Sequence, residues 1–286
     1  MYAIAGVTGH TGKVVADTLQ AHGHPIRIIV RDESKGASWA ARGAEVAVAD
    51  LADEATLTRA LQGARGAYLL PPPVATTTDF LGSRARMFEA IGRAAVNARL
   101  PHLVFLSSIA AHLPKGTGPI VAAYMGERSF EKLGIAVTFV RPSYFLENYG
   151  SVLGAAKNDG ILPSFMPASF THAVVATTDV GRTAAQALLD GPRGRRVIEL
   201  SGPVDVTPAD VAAALGELLG RTVKVVETPL DAVVPTFMSF GMSQHMAEIY
   251  REMYAGFIAG GITWEGKGER VRGSTGVKEG LRAMLG

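Results

Sequence analysis

Six short apolar runs, YAIAG, HPIRIIV, AEVAVAD, GAYLLPP, HLVFLSS and AVTFVRP, recur through the first half of the chain, with segments of helical composition between them. The runs are rich in Val, Ile, Leu and Ala at successive positions, so both faces of each strand must be buried. That pattern fits the interior strands of a parallel sheet rather than a sheet with one wet face. TGKVVADTLQAHG, EATLTRALQG, DFLGSRARMFEAIGRAAVNARL and YMGERSFEKLG supply the covering helices. Right-handed crossovers then wind the strands into an α/β, doubly wound (Rossmann) parallel sheet.

The rhythm changes after Asn148. Gly, Pro, Phe and Met cluster in DGILPSFMPASF, and AVVAT and RVIEL follow as strand-like runs. Between those two runs, TTDVGRTAAQALLDG is a helix signal, with Asp179 near its start and Gly191 past its end. TPADVAAALGELLG, VKVVETP and the Met- and aromatic-rich SQHMAEIYREMYAGFIAGG suggest a smaller, mostly helical cap. The expected organisation is a dinucleotide-binding domain over residues 1–150 and a substrate-covering part over 151–286, with residues of about 172–200 returning to the main sheet.

Composition removes several alternatives. Hydrophobic residues at 48% and charged residues at 19% of 286 supply a sizeable core and argue against disorder. A balance of 28 Lys+Arg against 26 Asp+Glu gives no bulk attraction to nucleic acid or an anionic membrane. Without cysteine there is no disulfide, thiolate nucleophile or Cys-ligated metal. MYAIAGVTG lacks the charged and apolar regions of a signal peptide, and no stretch reaches the ~18 apolar residues of a membrane span. A cytoplasmic protein is expected.

GVTGHTG stands directly after the first strand and directly before the first helix, the context that makes a glycine motif informative. Gly6, Gly9 and Gly12 let a phosphate approach the backbone and let strand and helix pack closely, while the helix N-terminus aims N–H groups at a pyrophosphate. Thr8, His10 and Thr11 can add side-chain hydrogen bonds. At the end of the second strand, in IIVRDESK, Arg31 and Lys35 favour a 2′-phosphate and hence NADP. Asp32 stands one residue beyond the place of an acid that would hold the ribose of NAD, the less favoured alternative. Asp50 and Leu51 end the third strand beside the expected adenine, although Asp50 or Asp53 can equally cap the next helix. Leu70 and Pro71 open the run to Pro73, either beside a ribose or as a plain loop.

These residues, with TFVRPSYFLENY (Thr138 to Tyr149) and STGVKEGLRAML near the end of the chain, resemble the NmrA-like branch of the atypical short-chain dehydrogenase/reductases. Within it the likeness is greatest to NAD(P)H-dependent quinone, triphenylmethane-dye and azo-dye reductases, and it spans nearly the whole chain. The resemblance implies an NADP-preferring fold with a small C-terminal substrate domain, in a family that mixes reductases with redox-sensing binders.

Related reductases carry Tyr-x-x-x-Lys on a helix, the Lys lowering the tyrosine pKa. Here Tyr124 is followed four residues on by Arg128, which cannot give up its proton. Counted from Glu127, the lysine and tyrosine positions fall on Ala123 and Pro119, so the dyad is expected to be absent. Ser108 and Tyr124 are the remaining catalytic candidates. Ser107 is expected against the cofactor and Ser108 against the substrate. Tyr144, Phe145, Asn148 and Phe165 are expected to line the pocket, with Tyr149, Met166 and Phe170 nearby. His112 and His172 have no metal-ligand spacing, and no metal site is expected. Met246, Tyr250, Tyr254 and Phe257 repeat at helical spacing and read chiefly as core. The combined expectation is an NADPH-dependent oxidoreductase passing hydride to a small quinone- or dye-like aromatic acceptor. The alternative is a non-catalytic NADP(H) sensor acting through a protein partner.

Overall fold

The computed structural model describes all 286 residues. Its first half runs β1 (Tyr2–Ala5), α1 (His10–Ala21), β2 (Ile26–Val30), the single turn α2 (Ala37–Ala40), β3 (Glu45–Val48), α3 (Glu54–Leu61), β4 (Gly66–Leu69), α4 (Phe80–Asn97), β5 (His102–Leu106), α5 (Val121–Phe130) and β6 (Ala136–Pro142). The second half adds β7 (Tyr144–Phe145), α6 (Leu153–Asp159), β8 (Ile161–Ser164), β9 (His172–Val175), α7 (Thr177–Asp190), β10 (Arg195–Ser201) and β11 (Asp205–Val206). It ends with α8 (Pro208–Leu219), β12 (Lys224–Glu227), α9 (Val233–Ser239), α10 (Gln244–Ile258), β13 (Glu269–Arg272) and α11 (Val277–Leu285).

All six apolar runs are strands, and the doubly wound expectation holds. Eight parallel strands lie in the order β13-β10-β6-β5-β4-β1-β2-β3. The chain winds outward in both directions from β1 and β4, so the crevice of an open α/β sheet falls between their carboxyl ends.

Alternation along each strand divides the core. Ala3, Ala5, Leu103 and Phe105 face α3, α4 and α5, where Leu57, Phe88, Ile91 and Phe130 bury them. Ile4, Tyr68 and Val104 face α1 and α7, against Val15, Leu19, Val180 and Leu188. The two helices of that second face approach closely because position 181 is glycine; a Cβ there would lie 2.5 Å from Val14 Cβ.

Within residues 172–200 the structure separates two strands. RVIEL becomes β10 and joins the main sheet beside β6, from Arg195 opposite Val137 to Leu200 opposite Pro142. AVVAT becomes β9, which lies in a separate three-stranded sheet with β7 and β11. β13 was not legible in the sequence. Its ERVR is charged at three of four positions, and backbone pairing with β10 at the sheet edge makes it a strand. A third core cluster, with Leu146, Leu153, Leu162, Leu215 and Leu281, closes the cap. No helix is long and apolar enough to cross a membrane.

Candidate functional site

The three loop glycines are glycine for different reasons. Gly6 has φ +72°, and a Cβ there would sit 2.6 Å from Leu70 Cδ2. A Cβ on Gly12 would fall 2.4 Å from the Gly6 carbonyl oxygen and 2.5 Å from that of Ala5, so Gly12 lets α1 rest on β1. Gly9 has ordinary extended angles, φ −105° and ψ −177°, and a Cβ would meet only the Gly6 oxygen, at 3.4 Å. No protein atom explains its missing side chain, and the open space above it suits a phosphate. α1 begins directly after it with no side-chain cap and no acid in its first turn, leaving first-turn N–H groups and the positive helix end for an anion. Thr8, Gly9 and His10 are exposed at this mouth. Thr11 corrects the expectation for its side chain: it is buried, and its hydroxyl accepts from Tyr68 OH at 2.9 Å, locking α1 to β4.

At the end of β2, Arg31 and Lys35 are exposed. Asp32 is already used: its carboxylate accepts from the Ser34 N–H at 2.9 Å, and the Ser34 hydrogen bonds hold its pKa below the ordinary value. Asp53 takes the capping role on α3, accepting from the N–H groups of Ala55 and Thr56. Asp50 closes a turn on the Ala52 N–H at 2.8 Å and stays exposed at the edge of β3. Leu51 is half-buried against the core. Leu70 lies over Gly6, and Pro71 beside it is half-buried.

Past β5 the site departs from expectation. Ser107 is buried, and its hydroxyl donates to Glu127 Oε1. Glu127 also receives Arg141 Nε at 2.8 Å and Nη2 at 2.6 Å, while Arg141 Nη1 reaches Glu265 at 2.7 Å. Ser107 is thus one end of a buried network tying β5, α5, β6 and the approach to β13, so its proton is not free for a ligand. Both carboxylates hold the Arg141 guanidinium in its charged form, and Arg141 in turn keeps the Glu265 pKa low. Glu127 and the Arg of TFVRP were both visible in the sequence; that they meet was not. Ser108 is half-buried next door. Two residues on, the buried Ala110 adopts φ +61°, a left-handed strain that concentrates at functional sites.

On α5 the Arg128 guanidinium lies 5.8 Å from the Tyr124 ring centroid and is itself paired with Glu131 at 2.7 Å. His172 is buried between the Phe170 carbonyl and the Tyr149 hydroxyl, and burial lowers its pKa. His112 is half-buried, with Nδ1 unpartnered.

The cap brings aromatic rings together over the carboxyl ends of β5 and β6. Tyr144 packs edge-on against Tyr149, His172 and Phe257 at 5.5–6.0 Å, and burial pushes its hydroxyl pKa up. Phe165 lies 5.1 Å from Tyr254 and 5.9 Å from Phe237. Phe145 turns the other way, onto the α1–α7 face of the sheet, and leaves the pocket. Asn148 is exposed. The helical stripe divides: Met246 and Phe257 are buried, while Tyr250 and Tyr254 remain half-exposed and meet Phe237, which the sequence reading had missed. Phe165 and Met166 also line an open cleft of about 350 Å³ with Leu230, Ile258 and the Glu227 carboxylate.

Comparison with known proteins follows the same lines. A model of the NmrA-like family matches residues 2–264. An NAD(P)H azoreductase of Xenophilus azovorans is 29% identical over 89% of this chain and 86% of that protein. Quinone oxidoreductase 2 of Escherichia coli K12 is 28% identical over 92% of this chain and 90% of its own. Among solved structures, an E. coli NADPH-dependent quinone oxidoreductase complexed with NADPH superposes over all of both chains with TM-score 0.83 and 26% identity.

Proposed function

The chain belongs to the NmrA-like family, and from that membership we propose that it is an NADPH-dependent reductase passing hydride to a small, flat aromatic acceptor of quinone or dye type. The observation that carries the reading is the open cradle at Gly9, beneath an uncapped helix end, with Arg31 and Lys35 exposed nearby and Asp32 held in a turn. Relatives named as NAD(P)H azoreductase and quinone oxidoreductase support the reaction class. In this reading residues 1–150 hold the cofactor. Gly6, Thr8, Gly9, His10 and Gly12 take the pyrophosphate, Arg31 and Lys35 the 2′-phosphate, Asp50 and Leu51 the adenine, and Leu70 and Pro71 a ribose. Residues 151–286, with Tyr144, Ser108 and their neighbours, cover the acceptor.

The bound dinucleotide supplies the hydride. The chain's own work is to stack the acceptor against it at the right distance, a proximity effect. No Tyr–Lys pair is needed on α5, because a quinone oxygen can take its proton from water. Purified protein should oxidise NADPH with a panel of quinones and dyes faster than the uncatalysed reaction. No excess over that rate would overturn the reductase reading, and tight NADPH binding in the same preparation would point to a redox sensor instead. Arg31→Ala should weaken NADPH by roughly tenfold or more, the worth of one charge-assisted hydrogen bond, and leave NADH nearly unchanged. Equal losses for the two cofactors would undo the NADP assignment.

A further inference from the structure

Two arginines are buried in this fold, and only one is neutralised. Arg141, 1% exposed, lies between Glu127 and Glu265. Arg84, 4% exposed on α4, faces no carboxylate. Its Nη2 donates to the Pro72 carbonyl at 2.6 Å, its Nη1 reaches only Met87 Sδ at 3.8 Å, and its Nε has no partner. The guanidinium carbon stands 5.2 Å from the Phe80 ring centroid. One carbonyl, a thioether and a ring do not repay the desolvation of a full charge. A cation so placed is explained when something bound brings the opposite charge.

Its position says what that is. Pro72 belongs to the loop leaving β4, at the edge of the crevice where the sheet reverses. α10 closes over the same loop: Ser243 Oγ donates to the Thr77 carbonyl at 2.7 Å, and the Ser243 N–H to that of Ala75 at 2.9 Å. From this helix Tyr250 packs both on the core beneath α4 and on the cluster that holds Ile109 and Ala110 after β5. Arg84 is the charge that acts on the Tyr250 hydroxyl, opposing the upward push of burial.

Resting on the reductase reading, the geometry points to Arg84 and Tyr250 as the oxyanion end of the acceptor site. The Tyr250 hydroxyl donates to the acceptor's carbonyl oxygen, and the Arg84 guanidinium stabilises the negative charge that collects there. Hydride brings the acceptor two electrons and one proton, with NADPH oxidised to NADP⁺, so a quinone becomes a hydroquinone monoanion. One proton from water then completes the hydroquinone. Fixed positive charge acts in the interval between hydride and proton, when the oxygen is anionic.

The test uses two probes of one shape, neutral 1,4-naphthoquinone and 2-hydroxy-1,4-naphthoquinone, which is ionised at neutral pH. Titrated into the NADP⁺-saturated protein, the anion should bind roughly tenfold tighter or better than the neutral quinone, as one charge-assisted contact allows. Arg84→Met should abolish that preference while neutral-probe affinity and NADP⁺ affinity hold and the melting temperature does not fall. Arg84→Lys should restore part of it. With the neutral quinone, Arg84→Met should lower kcat about tenfold with KM little moved, the mark of an interaction made only in the transition state. A wild-type protein that turns quinones over but binds the anion no better than the neutral probe would overturn the inference alone, whatever the variants do. Equal losses of both probes in Arg84→Met would do the same. Binding of neither probe, without turnover, would overturn the acceptor site and this inference with it.

Discussion

Gly9 and Gly12 look alike in the sequence and differ in what their missing side chains protect. At Gly12 the space is filled by two carbonyl oxygens of β1 and its turn, so Gly12→Ala must push α1 off the sheet. Overpacking of that kind costs about 1–3 kcal/mol. At Gly9 the nearest protein atom to a new Cβ is 3.4 Å away and the backbone angles suit any residue. Gly9→Ala should therefore melt with the wild type while, on the proposed reading of the loop as the phosphate cradle, losing at least about tenfold in NADPH affinity, because its methyl would fill that space. Thermal melting and equilibrium titration of both variants check the split; a Gly9→Ala protein of wild-type affinity would remove the loop from the cofactor site. Hydroxyls teach the complementary lesson. Thr11 and Ser107 stand at positions the sequence marks for ligand contact, yet each is occupied by a partner 57 or 20 residues away. Residue type at a strand end is legible in a sequence; whether its hydrogen bond is already taken depends on another element.

At the scale of elements, TFVRPSYFLENY is largely a set of struts. Thr138 meets His102 on β5, Arg141 gathers Glu127 and Glu265, and Glu147 completes the N-terminus of α7. That helix has Ala176 at its N-cap, which offers no side-chain acceptor. The Glu147 carboxylate replaces one, accepting from the Thr177 N–H at 2.9 and 3.0 Å and from its hydroxyl at 2.7 Å. A negative group at a helix N-terminus also complements the helix dipole. Glu147→Ala should cost about 2 kcal/mol, and Glu147→Gln less, because an amide oxygen still accepts. Urea denaturation would show this as a lower midpoint at unchanged slope; an unmoved midpoint would mean that water caps α7 equally well. The motif was recognisable as a string, but its bonds reach across other strands and helices, which no local pattern encodes. β13 was obscured for a related reason: its strand character comes from pairing at the sheet edge, not from burial of both faces. β9 was legible as a strand, but the sheet it joins is set by β7 and β11, which lie elsewhere in the chain.

For the molecule as a whole, the sheet was legible because it buries contiguous apolar runs; the cap was legible as a set of elements but not in how they meet, because its rings and ion pairs join residues distant in the chain. Arg141 and Glu265, 124 positions apart, are one instance, and Phe165 with Phe237 another. The same assembly governs the response to acid. His102 is buried between strands with Nε2 on the Thr138 hydroxyl at 2.9 Å and Nδ1 unpartnered, a setting that holds a neutral ring. Burial, reinforced by the nearby Arg196 charge, lowers its pKa from 6.5 to about 4, and burial lowers that of His172 as well. Between those two values the unfolded chain binds a proton that the native fold refuses. Stability is therefore fully present above pH 6.5, falls as pH drops toward about 4, and loses no more from this ring below that. The loss from His102 alone is about 3 kcal/mol, at about 1.4 kcal/mol for each pH unit. Urea midpoints measured from neutral to about pH 4 should fall accordingly. His102→Gln, which keeps a partner for Thr138 without a titrating ring, should flatten most of that slope, leaving the part due to His172. A slope as steep in His102→Gln as in the wild type would mean that the imidazole is protonated inside the native sheet, and would place the acid sensitivity elsewhere in the fold.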